Sequence, residues 1–364
     1  MRIFGTLGRY FARKFLLNFL VLSMILLGIV YLFDTIELLR RADGSRNVST
    51  AIIFQMGVLK LADTGQVIAP FIVLFATLAT FWKLSRQREI VVLRAAGFSS
   101  WQFLGSVVLT GLGLGIVFTT LVNPLGARLI ERFERMESNY IISGNNEIAL
   151  FSDGLWLRQS RDNGYVILHA RRIKRPDWQM RNVMALFFDD KHRFVKRYDT
   201  DHARLDKGKW IFRNPVISRS GASSQRSDSK NLATDLTPAD IEESFSSPET
   251  IPFWHLPGFI SVMEQTGFDA AGLRVHFHSL LAKPFMFAGM ILIGALLATR
   301  PPRFQHTGKL IAGGVMIGFI VFFAANFLEA LGASHQIPVV LGAWTAPLIT
   351  LLLSATAMIS IEES

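Results

Sequence analysis

The chain contains no cysteine among its 364 residues. It can therefore form no disulfide, use no cysteine nucleophile and build no cysteine-ligated metal site. The phosphate-binding loop Gly-x-x-x-x-Gly-Lys-[Ser/Thr] and the zinc motif His-Glu-x-x-His are also missing. Serine, histidine and aspartate occur without the spacing of a catalytic triad. The sequence predicts no catalytic residues, no metal site and no cofactor bound by this chain.

Acidic residues are scarce outside the middle of the chain. Of the 38 Lys and Arg and the 28 Asp and Glu, 22 and 20 lie in residues 124–275, which leaves 16 and 8 for the remainder. The excess positive charge thus borders the most hydrophobic parts of the chain. That location indicates membrane topology and argues against a nucleic-acid-binding surface.

Long uncharged runs are what the chain has in abundance, and half of its residues are hydrophobic. About 20 apolar residues are needed to cross a bilayer core as a helix. Six runs qualify: Phe15–Phe33, Gly65–Trp82, Trp101–Val122, Pro284–Ala298, Leu310–Leu328 and Val339–Ile361. We predict a membrane α-helical protein with three transmembrane helices in residues 1–135, three in 271–364, and an inserted domain in 136–270.

The basic residues of the short loops predict the orientation. They lie before the first run, after the second and after the fourth, and all these segments fall on one side of a six-helix protein. They are Arg2, Arg9, Arg13 and Lys14; Lys83, Arg86, Arg88 and Arg94; and Arg300, Arg303 and Lys309. Positive loops mark the cytoplasmic side. We expect both termini in the cytoplasm and the inserted domain outside, which in a bacterium is the periplasm.

The inserted domain has the pattern of an antiparallel β structure of the jelly-roll or sandwich type. Short β-like runs are separated by the turn signals Asp153–Gly154, Asn163–Gly164, Asp189–Asp190 and Lys207–Gly208. The runs are Leu155–Leu157, Tyr165–Ala170, Val183–Phe188, Phe194–Tyr198, Ala203–Leu205 and Trp210–Ile217. Ser218–Asn231, rich in serine and charge, is predicted to be a flexible loop. Trp254–Gly267 is predicted to be a closing helix.

The loop after the second run is predicted to form a short helix along the membrane surface. Ser85–Gly97 lacks proline, ends in glycine and is too charged at its start to span a bilayer. It is also unusually apolar for a tight loop, and a partner that buries Ile90, Val91 and Leu93 would explain this.

The helix plan, the β insertion and the segment Arg88-Glu-Ile-Val-Val-Leu-Arg-Ala-Ala-Gly-Phe98 resemble the lipopolysaccharide export permeases LptF and LptG. Four features are more similar to the LptG branch: Leu7-Gly-Arg-Tyr10, the run Phe33-Asp-Thr-Ile-Glu-Leu-Leu-Arg-Arg41, Asp153-Gly-Leu-Trp156, and Ala203 followed by Lys209-Trp210. The sequence departs from that branch at Tyr31–Asp34, where LptG commonly carries a further basic residue.

The resemblance implies a role and a set of partners. Two such permeases, one LptF-type and one LptG-type, would pair in the bacterial inner membrane. An LptB-type ATPase dimer would supply ATP hydrolysis from the cytoplasm. An LptC-type single-span protein and an LptA-type periplasmic bridge would complete the path. The cargo would be lipopolysaccharide extracted from the outer leaflet of the inner membrane.

The resemblance also implies a coupling site on the short helix. Glu89 would be the glutamate that meets the ATPase, with Arg86, Arg88, Ile90 and Leu93 around it. The alternative interpretation is an ordinary surface charge, or a pair with Arg86 on the same helix. We favour the coupling role.

Basic residues at the outer helix ends are candidates for binding the phosphates of lipid A. Arg40 and Arg41 match the basic pair after the first helix of LptG. Arg128, Arg132 and Arg135 follow the third run at spacings that place them on one helical face. Contact with lipid headgroups by snorkelling is the alternative.

Two further patterns lie in or beside the apolar runs. Lys283, directly before Pro284, has either a functional role or a snorkelling one, and its position about two turns from the outer boundary favours snorkelling. The glycines Gly111/Gly115 and Gly314/Gly318 have the four-residue spacing of close helix packing.

Other functions stay open from the residues alone. The chain could be a permease for another lipid or for a lipoprotein, or a membrane scaffold that transports nothing. An intramembrane hydrolase has the least support.

Overall fold

The computed structural model describes residues 5–42, 49–140, 146–151, 154–161, 164–174, 179–206, 208–219, 222–234, 248–266, 269–298 and 307–363. The chain divides into two compact units. The helical unit comprises Met1–Ile141, Glu249–Trp254 and Ala271–Ser364. The β unit comprises Ile142–Pro248 and His255–Ala270.

The helical unit contains eight α-helices among the described residues, and the helix α6 (Leu256–Thr266) belongs to the β unit. They are α1 (Thr6–Ala42), α2 (Thr50–Arg86), α3 (Glu89–Ala95), α4 (Ser100–Val117), α5 (Asn123–Tyr140), α7 (Ala271–Ala298), α8 (Thr307–Ala333) and α9 (Val339–Glu363). A π-helical turn, Phe118–Val122, joins α4 to α5 without a break. Six spans within these helices are long and apolar enough to cross a membrane, which confirms the predicted helical plan.

Helix α7 lies at the centre of the helical unit and packs against α2, α4, α8 and α9. Glycines let α4 approach it closely. A Cβ added at Gly115 would collide with the backbone of Pro284, and one at Gly111 with the Ile291 side chain. The predicted packing role of these two glycines is confirmed. Gly314 and Gly318 of α8 similarly face Leu78, Leu74 and Phe71 of α2.

Helix α5 is amphipathic because apolar and charged residues alternate at helical spacing. Ile130 and Phe133 are buried in a small core with Leu38 of α1 and with Ile53 and Met56 of α2. Because this core holds the apolar face of α5, the opposite, charged face of α5 points away from the core.

The β unit is an antiparallel sheet inserted between the two sets of helices, as predicted. Its strands are β1 (Asn146–Phe151), β2 (Gly154–Arg161), β3 (Gly164–Lys174), β4 (Gln179–Phe188), β5 (Phe194–Asp206), β6 (Lys209–Arg213), β7 (Val216–Arg219), β8 (Ala222–Arg226) and β9 (Ser229–Ala233). They pair in the order β1-β2-β3-β4-β5-β6-β9, and β7 and β8 branch from β5. Alternate residues such as Leu155, Leu157, Val166 and Leu168 are buried on one face.

Three local predictions in the β unit are corrected. The runs Phe194–Tyr198 and Ala203–Leu205 belong to one long strand, β5, whereas Trp210–Ile217 is divided between β6 and β7. Ser218–Asn231 is not simply a loop, because it contains β8 and most of β9. The backbone of β9 pairs with β6 despite its polar side chains. The predicted closing helix is confirmed as α6 (Leu256–Thr266).

The β4–β5 turn is built around Asp189. Its carboxylate accepts hydrogen bonds from the backbone N–H groups of Lys191 and Arg193, at 2.9 and 2.8 Å. These bonds, chiefly the one from Arg193, lower the pKa of Asp189 below its ordinary value because they favour the ionised carboxylate. The predicted turn residues Asp153, Asn163 and Lys207 lie outside the described residues.

Candidate functional site

The short helix α3 begins later than the sequence predicts. Helix α2 continues to Arg86, and Arg88 then adopts a left-handed backbone conformation with φ of 59°. This break starts α3 at Glu89 and not at Ser85. Gly97, with φ of 82°, ends the helix in a Schellman motif, in which Phe98 N–H donates to Leu93 C=O and Gly97 N–H to Arg94 C=O.

The apolar residues of α3 serve two purposes. Ile90 is 4% exposed and joins the core that contains Phe11, Phe81 and Phe103, and Leu93 packs partly against the same core. The expectation that a partner buries Ile90 is therefore corrected, because the helical unit itself buries this residue. Val91 and Val92 remain 62% and 65% exposed. They form the free apolar face of α3.

Glu89 connects α3 to α1. Its carboxylate accepts hydrogen bonds from the Tyr10 hydroxyl at 3.0 and 3.2 Å and from the Lys14 ammonium at 3.2 Å. Lys14 also lies over the Tyr10 ring, 4.2 Å from its centroid. Glu89 thus joins two helices that are distant in sequence.

The arginines predicted around Glu89 have other positions. The Arg86 guanidinium lies over the Trp82 ring at 5.4 Å from its centroid, and no ion pair between Arg86 and Glu89 occurs among the described side chains. Arg88 is exposed at the break between α2 and α3. Sequence reasoning therefore found Glu89 but missed its partners Tyr10 and Lys14, which belong to the first span.

Arg40 and Arg41 are held partly by carboxylates. The Glu37 carboxylate forms ion pairs with Arg40 at 2.9 Å and with Arg41 at 3.0 Å, both one turn away on α1. Arg41 also approaches Glu137 of α5 at 3.5 Å. Arg40 is 78% exposed, so its charge is still accessible to a ligand. Exposed pairs of this kind contribute little stability.

Arg128, Arg132 and Arg135 lie together on the exposed face of α5, as their spacing predicts. Arg135 pairs with Glu131 at 3.3 Å. Within the described ranges, Arg128 and Arg132 have no ion-pair partner. The two free cations face away from the buried Ile130 and Phe133.

Sequence reasoning missed one further cation near Tyr31–Asp34. Lys60 of α2 binds the Asp34 carboxylate of α1 at 3.0 Å. A positive charge is thus present beside the position at which the sequence departs from the LptG pattern, but it comes from a different helix. The sequence feature that could have indicated this cation is Lys60 itself, a lone lysine in the first half of the second span.

Lys283, His276 and Glu329 approach one another at a cavity of the helical unit. All three line a space bordered by α2, α7, α8 and α9. His278 points elsewhere, and its Nδ1 accepts a hydrogen bond from Trp344 Nε1 at 3.4 Å. Lys283 lines a cavity of the helical unit, which favours a functional role over the snorkelling one.

Known proteins are similar in sequence to this chain over almost its whole length. The sequence profile of the family described as "Lipopolysaccharide export system permease LptF/LptG" matches residues 9–360. The lipopolysaccharide export system permease protein LptG of Haemophilus influenzae is 23% identical over 355 residues, which cover 96% of this chain and 97% of that protein. LptG of Escherichia coli K12 is 22% identical over 352 residues, which cover 94% and 95%. The chain belongs to the LptF/LptG family of lipopolysaccharide export system permeases.

Proposed function

We propose that the chain is the LptG-type transmembrane subunit of an ATP-driven exporter that extracts lipopolysaccharide from the bacterial inner membrane. The observation that carries this proposal is the family match over residues 9–360, which spans both sets of helices and the β insertion. The relatives at 23% and 22% identity are both named LptG, which supports the LptG assignment over LptF. The partners would be an LptF-type permease, an LptB-type ATPase dimer, an LptC-type protein and an LptA-type bridge.

The ATPase would dock on α3. Val91 and Val92 offer an exposed apolar face on a helix that Ile90 anchors to the bundle. An exposed apolar pair on an anchored helix is what a partner groove can bury. The positive loops favour a cytoplasmic location for α3 and the termini, and hence a periplasmic β unit.

Glu89 would carry motion from α3 to α1. A shift of α3 pulls on Tyr10 and Lys14 through the Glu89 carboxylate. Competition for Glu89 by a basic residue of the ATPase would release α1 instead. Either event changes the position of the first span when the ATPase dimer closes.

Lipid A phosphates would bind the accessible cations. Arg128 and Arg132 are better candidates than Arg40 and Arg41, because the latter pair already share the Glu37 carboxylate. Arg135 is similarly shared with Glu131. A phosphate must displace these carboxylates before it binds the paired arginines.

The test of the function is purification of the chain from its native membrane with its partners and lipid. We expect an ATPase dimer, a second permease of the same family and bound lipopolysaccharide, identified by mass spectrometry. A bound lipoprotein in place of lipopolysaccharide would overturn the substrate. Absence of any ATPase would favour the scaffold, and lipid turnover without ATP would favour an enzyme.

The docking face is tested by Val91→Asp together with Val92→Asp. Two charges on the free face of α3 should abolish recovery of the ATPase with the permease, while the folded yield stays unchanged. Val195→Asp is the matched control, because Val195 is an exposed valine of the β unit. Retention of the ATPase by the double variant would remove α3 as its docking site.

The link between α3 and α1 is tested by Tyr10→Phe with Lys14→Met. These changes remove both donors to Glu89 and leave α3 itself intact. We expect ATP hydrolysis to continue while lipopolysaccharide release falls several-fold. An equal fall in both rates would show that the contact serves ATPase docking and not transmission.

A further inference from the structure

The helical unit contains a cavity of about 230 Å³ whose lining combines charged and apolar residues. It lies between α2, α7, α8 and α9, Asn123 at the start of α5 also lines it, and none of the arginines of α1 or α5 is in its lining. Its charged residues are Asp63, Lys283, Glu329 and, at the chain segment before α6, Glu249. Cavities with a few convergent polar groups are the usual form of a small-ligand site.

The charges in the cavity do not neutralise one another by direct contact. Asp63 and Glu329 line the same cavity as Lys283, yet no carboxylate of the described chain forms an ion pair within 4.0 Å of its ammonium. Glu329 accepts a hydrogen bond from the Ser279 hydroxyl at 2.6 Å, which leaves its second oxygen unused in the described contacts. A lysine and three carboxylates, those of Asp63, Glu249 and Glu329, thus share one space, and the described contacts include no ion pair between them.

His276 adds a second unsatisfied group. Its Nε2 is buried and has no hydrogen-bond partner in the described part of the chain. A buried polar atom without a partner destabilises the folded protein. An arrangement that leaves both a ring nitrogen and an ammonium unpartnered around one cavity is explained by a polar ligand.

Along the helix axes, one end of the cavity is polar and the other end is apolar. Asp63 precedes Phe71 on α2, Lys283 precedes Met290 on α7, and Glu329 follows Phe322 on α8. Because a helix rises about 1.5 Å per residue, each pair separates its charged and apolar members by roughly 10–12 Å. α2 and α7 run in the same direction and α8 runs antiparallel to them. In all three pairs the apolar residue therefore lies toward the same end of the cavity. The cavity therefore suits an amphiphile.

We propose that this cavity binds the phosphoethanolamine headgroup of a lipid, with the first part of one acyl chain. The phosphate would lie against Lys283, and the ammonium between Asp63 and Glu329. The acyl chain would continue along Met286, Met290 and Phe71. A headgroup with both charges suits this set, because a plain anion meets the three carboxylates and a plain cation meets the lysine.

The volume limits the ligand to a single headgroup and a short length of chain. Lipid A, with several acyl chains, does not fit a space of about 230 Å³ as a whole. Two sources can supply the group: a glycerophospholipid, or a phosphoethanolamine substituent on lipid A. Binding at this site therefore goes beyond the export of lipopolysaccharide itself.

The test uses the purified full-length complex in nanodiscs of phosphatidylglycerol doped with one second lipid. Native mass spectrometry measures retained lipid, with phosphatidylethanolamine, phosphatidylcholine or additional phosphatidylglycerol as the probe. We expect at least tenfold preferential retention of phosphatidylethanolamine. Phosphatidylcholine should bind more weakly, since its quaternary ammonium donates no hydrogen bond to Asp63 or Glu329. Equal retention of the three lipids overturns the proposal.

Three variants identify the site. Lys283→Met and Glu329→Gln should each abolish the preference, and glutamine still accepts the Ser279 hydrogen bond, so this variant keeps the local fold. Lys60→Met is the control, because Lys60 binds Asp34 outside the cavity. Persistence of the preference in Glu329→Gln overturns the proposal even where Lys283→Met misfolds.

A competition arm separates the two sources. Lipid A with and without a phosphoethanolamine substituent is added to complexes that hold phosphatidylethanolamine. Displacement by the substituted form alone supports the headgroup site and extends it to modified lipid A. Displacement by neither form supports a phospholipid site. Equal displacement by both forms contradicts recognition of the headgroup.

Discussion

Helices α7 and α8 are equally apolar in sequence, but the protein buries them very differently. In the most apolar stretch of α7, 67% of the residues are buried, compared with 11% in α8. α7 contacts four neighbouring helices, whereas α8 lies at the edge against α7, α9 and a small part of α2. Hydropathy thus identifies a membrane span but not its place among the other spans.

The difference has a mechanical consequence. Segments with few buried contacts open at lower free energy than a packed core. α8 borders the charged cavity and carries Glu329, while α7 holds the opposite wall with Lys283. We infer that α7 is the fixed element of this chain and that α8 is its movable wall.

The largest loss of stability is expected from Asn123→Ala in the interior. Asn123 is 2% exposed, donates to Gln66 Oε1 at 3.1 Å and accepts from Phe253 N–H at 2.9 Å. Its removal leaves two buried groups unpaired, at about 1–3 kcal/mol each. Thermal unfolding of the purified chain in detergent measures the loss. Asn326→Ala on α8 is the matched control and should cost little, because Asn326 is exposed and bonds only its own helix.

A smaller loss is expected from Gly294→Ala on α7. The new Cβ would lie 2.9 Å from the Leu74 carbonyl oxygen and 2.9 Å from Thr77 Cβ, and backbone cannot move aside cheaply. Such overpacking costs about 1–3 kcal/mol. In Gly314→Ala on α8, the Cβ meets only the tip of Leu78 at 2.9 Å, and that tip can rotate. Equal unfolding midpoints for the two variants would contradict the distinction between the helices.

The smallest effect is expected in the β unit, away from both helices. The hydrogen bonds to Asp189 lower its pKa, so their contribution is present above its unfolded pKa of about 4 and is lost as the pH falls through the lower folded value. Asp189→Ala should remove this pH dependence below about pH 4. Amide exchange at Arg193 measures it, and Asp190→Ala serves as the control. A wild-type profile in Asp189→Ala would refute the assignment.

Much of the fold could be predicted because its signals are local. Six apolar runs, the basic loops and the turn-separated β runs all follow from short stretches of sequence. Gly97 ended α3 as predicted because a left-handed residue at a helix end favours glycine. The start of α3 could not be predicted. It depends on the left-handed backbone conformation of Arg88, and the sequence around an exposed arginine does not indicate that conformation.

The site was less predictable because its contacts join distant parts of the chain. Glu89 meets Tyr10 and Lys14 across more than 70 residues, and Lys60 meets Asp34 across a helix hairpin. The cavity brings Asp63, Lys283 and Glu329 together from three spans. No spacing within one segment carries that information, because it depends on how apolar helices choose their neighbours.

The most direct test of the account is a reversible lock between α2 and α8. The chain has no cysteine, so Leu78→Cys with Gly314→Cys introduces a single pair at a close contact of the two helices. ATP-dependent release of lipopolysaccharide is measured from proteoliposomes that contain the complete complex, with the single-cysteine variants as controls. We predict that oxidation of the pair stops release and that reduction restores it. Export at the full rate by the oxidised, cross-linked complex would contradict a movable α8.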